Sequence, residues 1–78
     1  MKAKILTNSD SLLTMFRLGA IEGEIVGPHT FENIFDKSVE DTNLAILIIT
    51  KSVYKENKNK IDNFRKENSM PLIVTIDG

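Results

Sequence analysis

A chain of 78 residues has room for one small core and no second domain, and without cysteine it has neither disulfides nor thiolate metal ligands to support that core. Ten Lys and Arg against eleven Asp and Glu leave a net charge of −1, which excludes a surface that grips nucleic-acid phosphates all round. The 41% hydrophobic and 27% charged composition is that of a globular chain and excludes a disordered one.

Residues 3–7 (AKILT) are short, apolar and β-branched enough for a strand, β1, and Asn8, Ser9, Asp10 and Ser11 then supply turn formers and N-cap oxygens. Leu12, Met15, Phe16 and Gly19 follow at i, i+3, i+4 and i+7, with Leu13 beside them, so a helix is predicted that stops at Gly19-Ala20. Residues 21–26 (IEGEIV) alternate apolar with polar, the pattern of a strand exposed on one side or lying at a sheet edge. Gly27-Pro28 ends it. Thr30 is placed to cap a second helix, whose Phe31, Ile34, Phe35 and the Ser38-Val39 pair form one stripe running to about residue 40.

Residues 44–49 (LAILII) lack alternation, which predicts a strand covered on both faces and placed at the sheet centre. Residues 50–68 form one long polar helix anchored by Val53, Ile61 and Phe64; four Asn residues lower its propensity and make it depend on docking. Ser69-Met70-Pro71 breaks that helix before a last β-branched strand over residues 72–76. The order βαβαβαβ predicts an α/β domain over residues 1–78: a four-stranded parallel sheet in order 2-1-3-4, helices on both faces, flavodoxin-like or Rossmann-like. The longest nearly apolar run is too short to span a membrane, and Lys2, Lys4, Asn8 and Asp10 interrupt any signal-peptide core, so a cytoplasmic location is expected.

Ligands of such sheets bind at the carboxyl ends of the strands where the order reverses. That place gathers Thr7, Asn8, Ser9 and Asp10 with Thr50, Lys51 and Ser52. They suit a small phosphate site, and they equally suit the caps and turns that every strand-to-helix junction needs; no glycine-rich phosphate loop accompanies them. A receiver-like phosphoryl-binding regulator using Asp10 and Lys51 is one reading. It is weakened because Ile49-Thr50 stands where an acceptor Asp is required. His29, the sole histidine, has no catalytic neighbour and reads as a solvated turn residue. Tyr54 reads as a boundary aromatic, and Met15 and Met70 as core gap-fillers. No catalytic residue, metal ligand or cofactor-binding motif is predicted. Acids dominate residues 22–41 and bases residues 51–67, either as solvated helix faces or as a polarised docking module. The loop from Arg17 to Glu24 is one expected contact, since Gly19 and Gly23 allow close backbone approach and Arg17 can pair with an acid on a partner; equally, Gly19 reads as a plain helix end and Arg17 as a solvated residue.

The segment Met15-Phe16-Arg17-Leu18-Gly19-Ala20-Ile21-Glu22-Gly23, following a strand and an Asp-containing turn, resembles the GFRLAG-like segment of the F subunit of the V-type (archaeal and bacterial A/V-type) ATPases and ATP synthases. Leu44–Thr50 resembles that family's third strand, and Met70-Pro71-Leu72-Ile73-Val74 its proline-led fourth. The resemblance implies a non-catalytic rotor component of the central stalk, peripheral to the membrane, that binds the coiled-coil shaft, the V-type ATPase's D subunit, and through it the catalytic head. Arg17, Leu18, Gly19, Ala20, Ile21, Glu22 and Gly23 are then the expected partner-binding residues, with no nucleic acid, no membrane insertion, no cofactor and no metal. Departures stand beside it. Met15 replaces a glycine, Gly19-Ala20 inverts the small pair, Asp77 stands where proline is common, and the family's C-terminal helical tail is not within these residues. A generic flavodoxin-like interaction domain of some other complex is the remaining reading.

Overall fold

Hydrophobic periods switching between strand and helix along the chain are realised as a four-stranded, wholly parallel sheet in order β2-β1-β3-β4 in a computed structural model that describes residues 2–78. The elements are β1 (Lys2–Thr7), α1 (Asp10–Leu18), β2 (Glu22–Ile25), α2 (Phe31–Glu40), β3 (Leu44–Thr50), α3 (Lys51–Glu56), α4 (Lys58–Glu67) and β4 (Leu72–Ile76). The polar β2 is an edge strand and the apolar β3 is internal, as their patterns predict.

Helix α1 starts where Ser9 Oγ accepts the Leu12 N–H, with Asp10 in the first turn where the helix dipole favours an anion. It lies over β1 and β2, burying Leu13. The opposite sheet face carries the main core. Leu6, Leu44, Leu47, Ile49 and Ile73 from the strands meet Phe31 and Phe35 of α2, Val53 of α3 and Ile61 of α4. Phe31 and Phe35 stack with ring centroids 5.3 Å apart, and Phe64 meets Phe35 edge-on at 5.5 Å, both favoured aromatic geometries.

Several expectations need correction. The single helix over residues 50–68 is two helices broken at Asn57, whose side-chain N–H2 donates to the Val53 carbonyl (2.9 Å) and whose backbone N–H donates to the Tyr54 carbonyl (3.0 Å). An Asn side chain that can hydrogen-bond the preceding turn competes with helix propagation. Met15 and Met70 are exposed and fill no core gap: Met15 lies on the solvent side of α1, and Met70 precedes β4. Strand β3 is sealed on one face only. Leu44, Leu47 and Ile49 are buried against α2 and α3, whereas Ile46 is exposed and Ile48 only half-buried on the side shared with α1, which packs chiefly on β1 and β2. Thr30 also precedes α2 without capping it, because its hydroxyl accepts the Gly27 N–H at 2.8 Å instead.

Candidate functional site

The segment between α1 and β2 is built by the way α1 ends. Gly19 is the C-cap, Ala20 follows in the left-handed region at φ 65°, and the Ile21 N–H closes back onto the Phe16 carbonyl at 2.9 Å while Ala20 N–H reaches the Arg17 carbonyl at 3.0 Å. This paired closure satisfies the last carbonyls of the helix and turns the chain directly into β2. Gly19 itself has an ordinary φ of −89°, so the residue in the strained position is the alanine and not the glycine.

Gly23 lies in β2 opposite Ile5, and a Cβ built on it would stand 2.5 Å from Ile5 Cγ2 and 2.6 Å from Leu13 Cδ1. The close approach that this glycine permits is therefore made inside the protein, by α1 settling onto the β1–β2 pair.

Around this segment the surface forms an open depression of about 520 Å³ lined by Lys4, Arg17, Ala20, Ile21, Glu22, Gly23 and Glu24. Of the residues expected from the sequence, Arg17, Ala20, Ile21, Glu22 and Gly23 line it, while Leu18, 84% exposed, and Gly19 lie outside its lining. Its acidic side is partly neutralised: Lys4 Nζ lies 2.6 Å from Glu24 and donates to Ser38 Oγ at 3.0 Å, and Lys2 lies 3.8 Å from Glu22. Lys2 also holds Asp41 at 2.8 Å; that hydrogen bond is the main reason the Asp41 carboxyl is lowered and the Lys2 ammonium raised from their ordinary ranges. Arg17 enters none of the ion pairs formed among the described residues. The depression thus combines an edge strand, an available guanidinium and two carboxylates already tied to lysines. Such a surface can receive a protein segment; it holds no nucleophile matched to a base.

The strand tips present a different picture. Ser52 Oγ donates to Asn8 Oδ1 at 3.1 Å, Thr7 Oγ1 accepts the Ser9 N–H at 3.0 Å, and Lys51 pairs with Asp77 at 3.2 Å. Asn8, Ser9 and Ser52 therefore serve as caps and links, and Asp10 is the exposed first residue of α1. Thr50 Oγ1 is buried without a hydrogen-bond partner. His29 is exposed in the turn before α2. Tyr54 donates to Asp62 at 2.7 Å, and Lys58 meets the other Asp62 oxygen at 2.8 Å, which links α3 to α4 across the break at Asn57. The Lys58 and Tyr54 hydrogen bonds lower the Asp62 carboxyl, and the bond to Asp62 raises the Tyr54 phenol. The acidic and basic stretches partly face each other: Lys60 of α4 lies 3.0 Å from Asp36 and 3.6 Å from Glu32 of α2.

The exposure of Ile46 and Leu72, neighbours on the α1 side of β3 and β4, is not marked in the sequence, where the apolar run of β3 predicts cover on both faces. Among the described residues no helix is long and apolar enough to cross a membrane. A family model described as ATP synthase (F/14-kDa) subunit matches residues 4–78. No curated protein and no solved structure matches the chain.

Proposed function

The chain belongs to the ATP synthase (F/14-kDa) subunit family, and from that membership we propose that it is a non-catalytic central-stalk subunit of a V-type ion-translocating ATPase or ATP synthase. In this role it binds the coiled-coil shaft, the D subunit of the complex, turns with it at the cytoplasmic face of the membrane, and takes part in coupling ATP turnover to ion transport. The family match across residues 4–78 carries the reading.

The geometry is consistent with work done by contact. A rotor part must transmit torque without yielding, and a parallel sheet with every strand hydrogen-bonded to a neighbour is a stiff support for a contact loop. We assign the contact to Arg17, Leu18, Gly19, Ala20, Ile21, Glu22 and Gly23. Here the closed end of α1 fixes the backbone, Leu18 offers an exposed apolar side chain, and Arg17 has a guanidinium available for a partner carboxylate. The Lys4–Glu24 and Lys2–Glu22 pairs beside the depression supply the charged margin that protein interfaces carry at their rim.

The experiment is recovery of the tagged chain from its own cells. Shaft and catalytic-head subunits should come with it, and Arg17→Glu should reduce their yield severalfold. A chain that is recovered alone, with the catalytic complex intact in the unbound fraction, refutes the proposal.

A further inference from the structure

We propose that the outer edge of β2 takes up an extended segment of a partner protein as an added strand, a proposal that rests on the contact assigned to Arg17–Gly23 and gives that contact its form. In a parallel sheet each residue turns its N–H and its C=O to the same side, and successive residues turn to opposite sides. The Val26 N–H donates to the Thr7 carbonyl of β1 at 2.9 Å, so Glu22 and Glu24 also turn toward β1, while Ile21, Gly23, Ile25 and Gly27 turn outward. The fold provides for both ends of this outer row. The Ile21 N–H donates to the Phe16 carbonyl at 2.9 Å, and the Gly27 N–H donates to Thr30 Oγ1 at 2.8 Å. Between them, the N–H and C=O groups of Gly23 and Ile25 have no partner among the described residues.

Those backbone groups form a short template for strand pairing. Natural sheets guard such an edge with a proline, a bulge, a charge aimed along it or a covering segment. The residues of β2 (EGEI) include no proline, and their register with β1 runs without a bulge. Its two charges do not guard the edge either. Gly23 faces α1, since a Cβ on it would meet Leu13, so Glu22 and Glu24 stand on the opposite face with Lys2 and with the Lys4 that donates to Ser38 of α2. The depression of about 520 Å³ borders the edge at Glu22, Gly23 and Glu24 and carries Arg17 on its wall.

Charge selects the occupant. Two copies sharing both open residues must pair their β2 strands antiparallel, with Gly23 opposite Ile25 across a two-fold axis, and this sets Glu24 directly opposite the Glu24 of the other copy. Glu22 then takes the diagonal position. Like charges placed face to face destabilise a strand pair, so the edge disfavours its own copy. A different protein with a base opposite Glu24 gains an ion pair there, because the Glu24 side chain is still 47% exposed beside Lys4 and the Glu22 side chain 68% exposed at 3.8 Å from Lys2. On the other face Ile25 is 41% exposed, so the residues flanking that base are apolar. A carboxylate beyond them meets the guanidinium of Arg17. The occupant is an extended segment of the stalk partner in which a base alternates with apolar residues and an acid follows.

The test reconstitutes the full chain, labelled with nitrogen-15, with the purified shaft protein of the same complex and follows amide hydrogen exchange residue by residue. Gly23 and Ile25 amides should exchange rapidly in the free chain and slow by about tenfold or more in the complex, whereas the Asn33 amide in the open first turn of α2 should not change. Ile25→Pro removes an outward N–H and leaves the ladder to β1 in place, so it should weaken binding by about tenfold or more. Ile25→Thr keeps that N–H and should cost less than about threefold. If Ile25→Pro lowers the melting temperature of the free chain, the exchange rates of the wild type decide. A complex in which Gly23 and Ile25 exchange as in the free chain, or equal losses in the two variants, overturns strand addition and leaves the central-stalk reading standing. No complex with the wild-type chain overturns both. Protection of the two amides in the free chain that dilution relieves overturns the different partner in favour of a second copy.

Discussion

Exchanging the two small residues at the end of α1, Gly19→Ala with Ala20→Gly, should stabilise the protein. Ala20 holds φ at 65°, where a Cβ crowds its own backbone at a cost of roughly 1–2 kcal/mol that glycine does not bear. Gly19 sits at φ −89° and ψ 13°, a conformation open to any residue, and a Cβ there would meet the Phe16 carbonyl oxygen at an ordinary 3.5 Å. Because the double variant has the composition of the wild type, the entropy of the unfolded chain is nearly unchanged, and what remains is the left-handed strain. The expected gain is therefore about 1–2 kcal/mol, or roughly 5–15 °C in melting temperature for a domain of this size. Urea denaturation followed by circular dichroism measures it as a higher midpoint at constant slope. The single variant Gly19→Ala should gain less, about 0.4–1 kcal/mol, since it leaves the strain in place. A midpoint that stays put or falls in the double variant refutes the claim that the inverted pair stores strain in the loop between α1 and β2.

Gly23→Ala should cost about 1–3 kcal/mol, because its Cβ has no room between Ile5 Cγ2 at 2.5 Å and Leu13 Cδ1 at 2.6 Å, and thermal melting reports the loss. Thr50→Val should stabilise by about 1 kcal/mol in the same assay, since it replaces a buried hydroxyl without a hydrogen-bond partner by a methyl of similar shape. The Asp62 and Asp41 carboxyls are held below their ordinary range in the folded state, by Lys58 and Tyr54 and by Lys2 respectively, so the stability they contribute is complete above about pH 4 and is lost as pH falls through their lowered values. Asp62→Asn should accordingly flatten the acid limb of stability against pH measured by urea titration, and an unchanged limb would remove that link between α3 and α4 from the account. At alkaline pH the raised Tyr54 phenol predicts that the ultraviolet titration of its phenolate lies above that of free tyrosine, a displacement that Asp62→Asn should diminish.

Much of the molecule follows from local chemistry that the linear order already carries. Strand and helix alternation, the polar edge character of β2, the stripe of Phe31, Ile34, Phe35 and Val39, and the anchors Val53, Ile61 and Phe64 are visible because side-chain period reports which face is buried. The resemblance around Phe16–Gly19 was legible for the same reason, since it lies in contiguous residues. What contiguity cannot carry is which faces find a cover. The break at Asn57 depends on one side chain choosing the Val53 carbonyl, and the exposure of Met15 on how α1 is rotated about its axis.

The charge asymmetry shows the same division. Acids in residues 22–41 and bases in residues 51–67 are plain in the sequence, but only the packing of α2 beside α4 brings Lys60 to Asp36 and Glu32 and converts part of that asymmetry into an internal contact. For the candidate surface, the order of residues alone specified the loop and the parallel strand arrangement around it. Packing in three dimensions settled that Gly23 gives its space to Ile5 and Leu13, that Arg17 stands at a depression on the β2 edge, and that Ile46 and Leu72 stay exposed. Periodicity specifies which face of an element is apolar, while the area that finally covers it is shared among elements far apart in the chain.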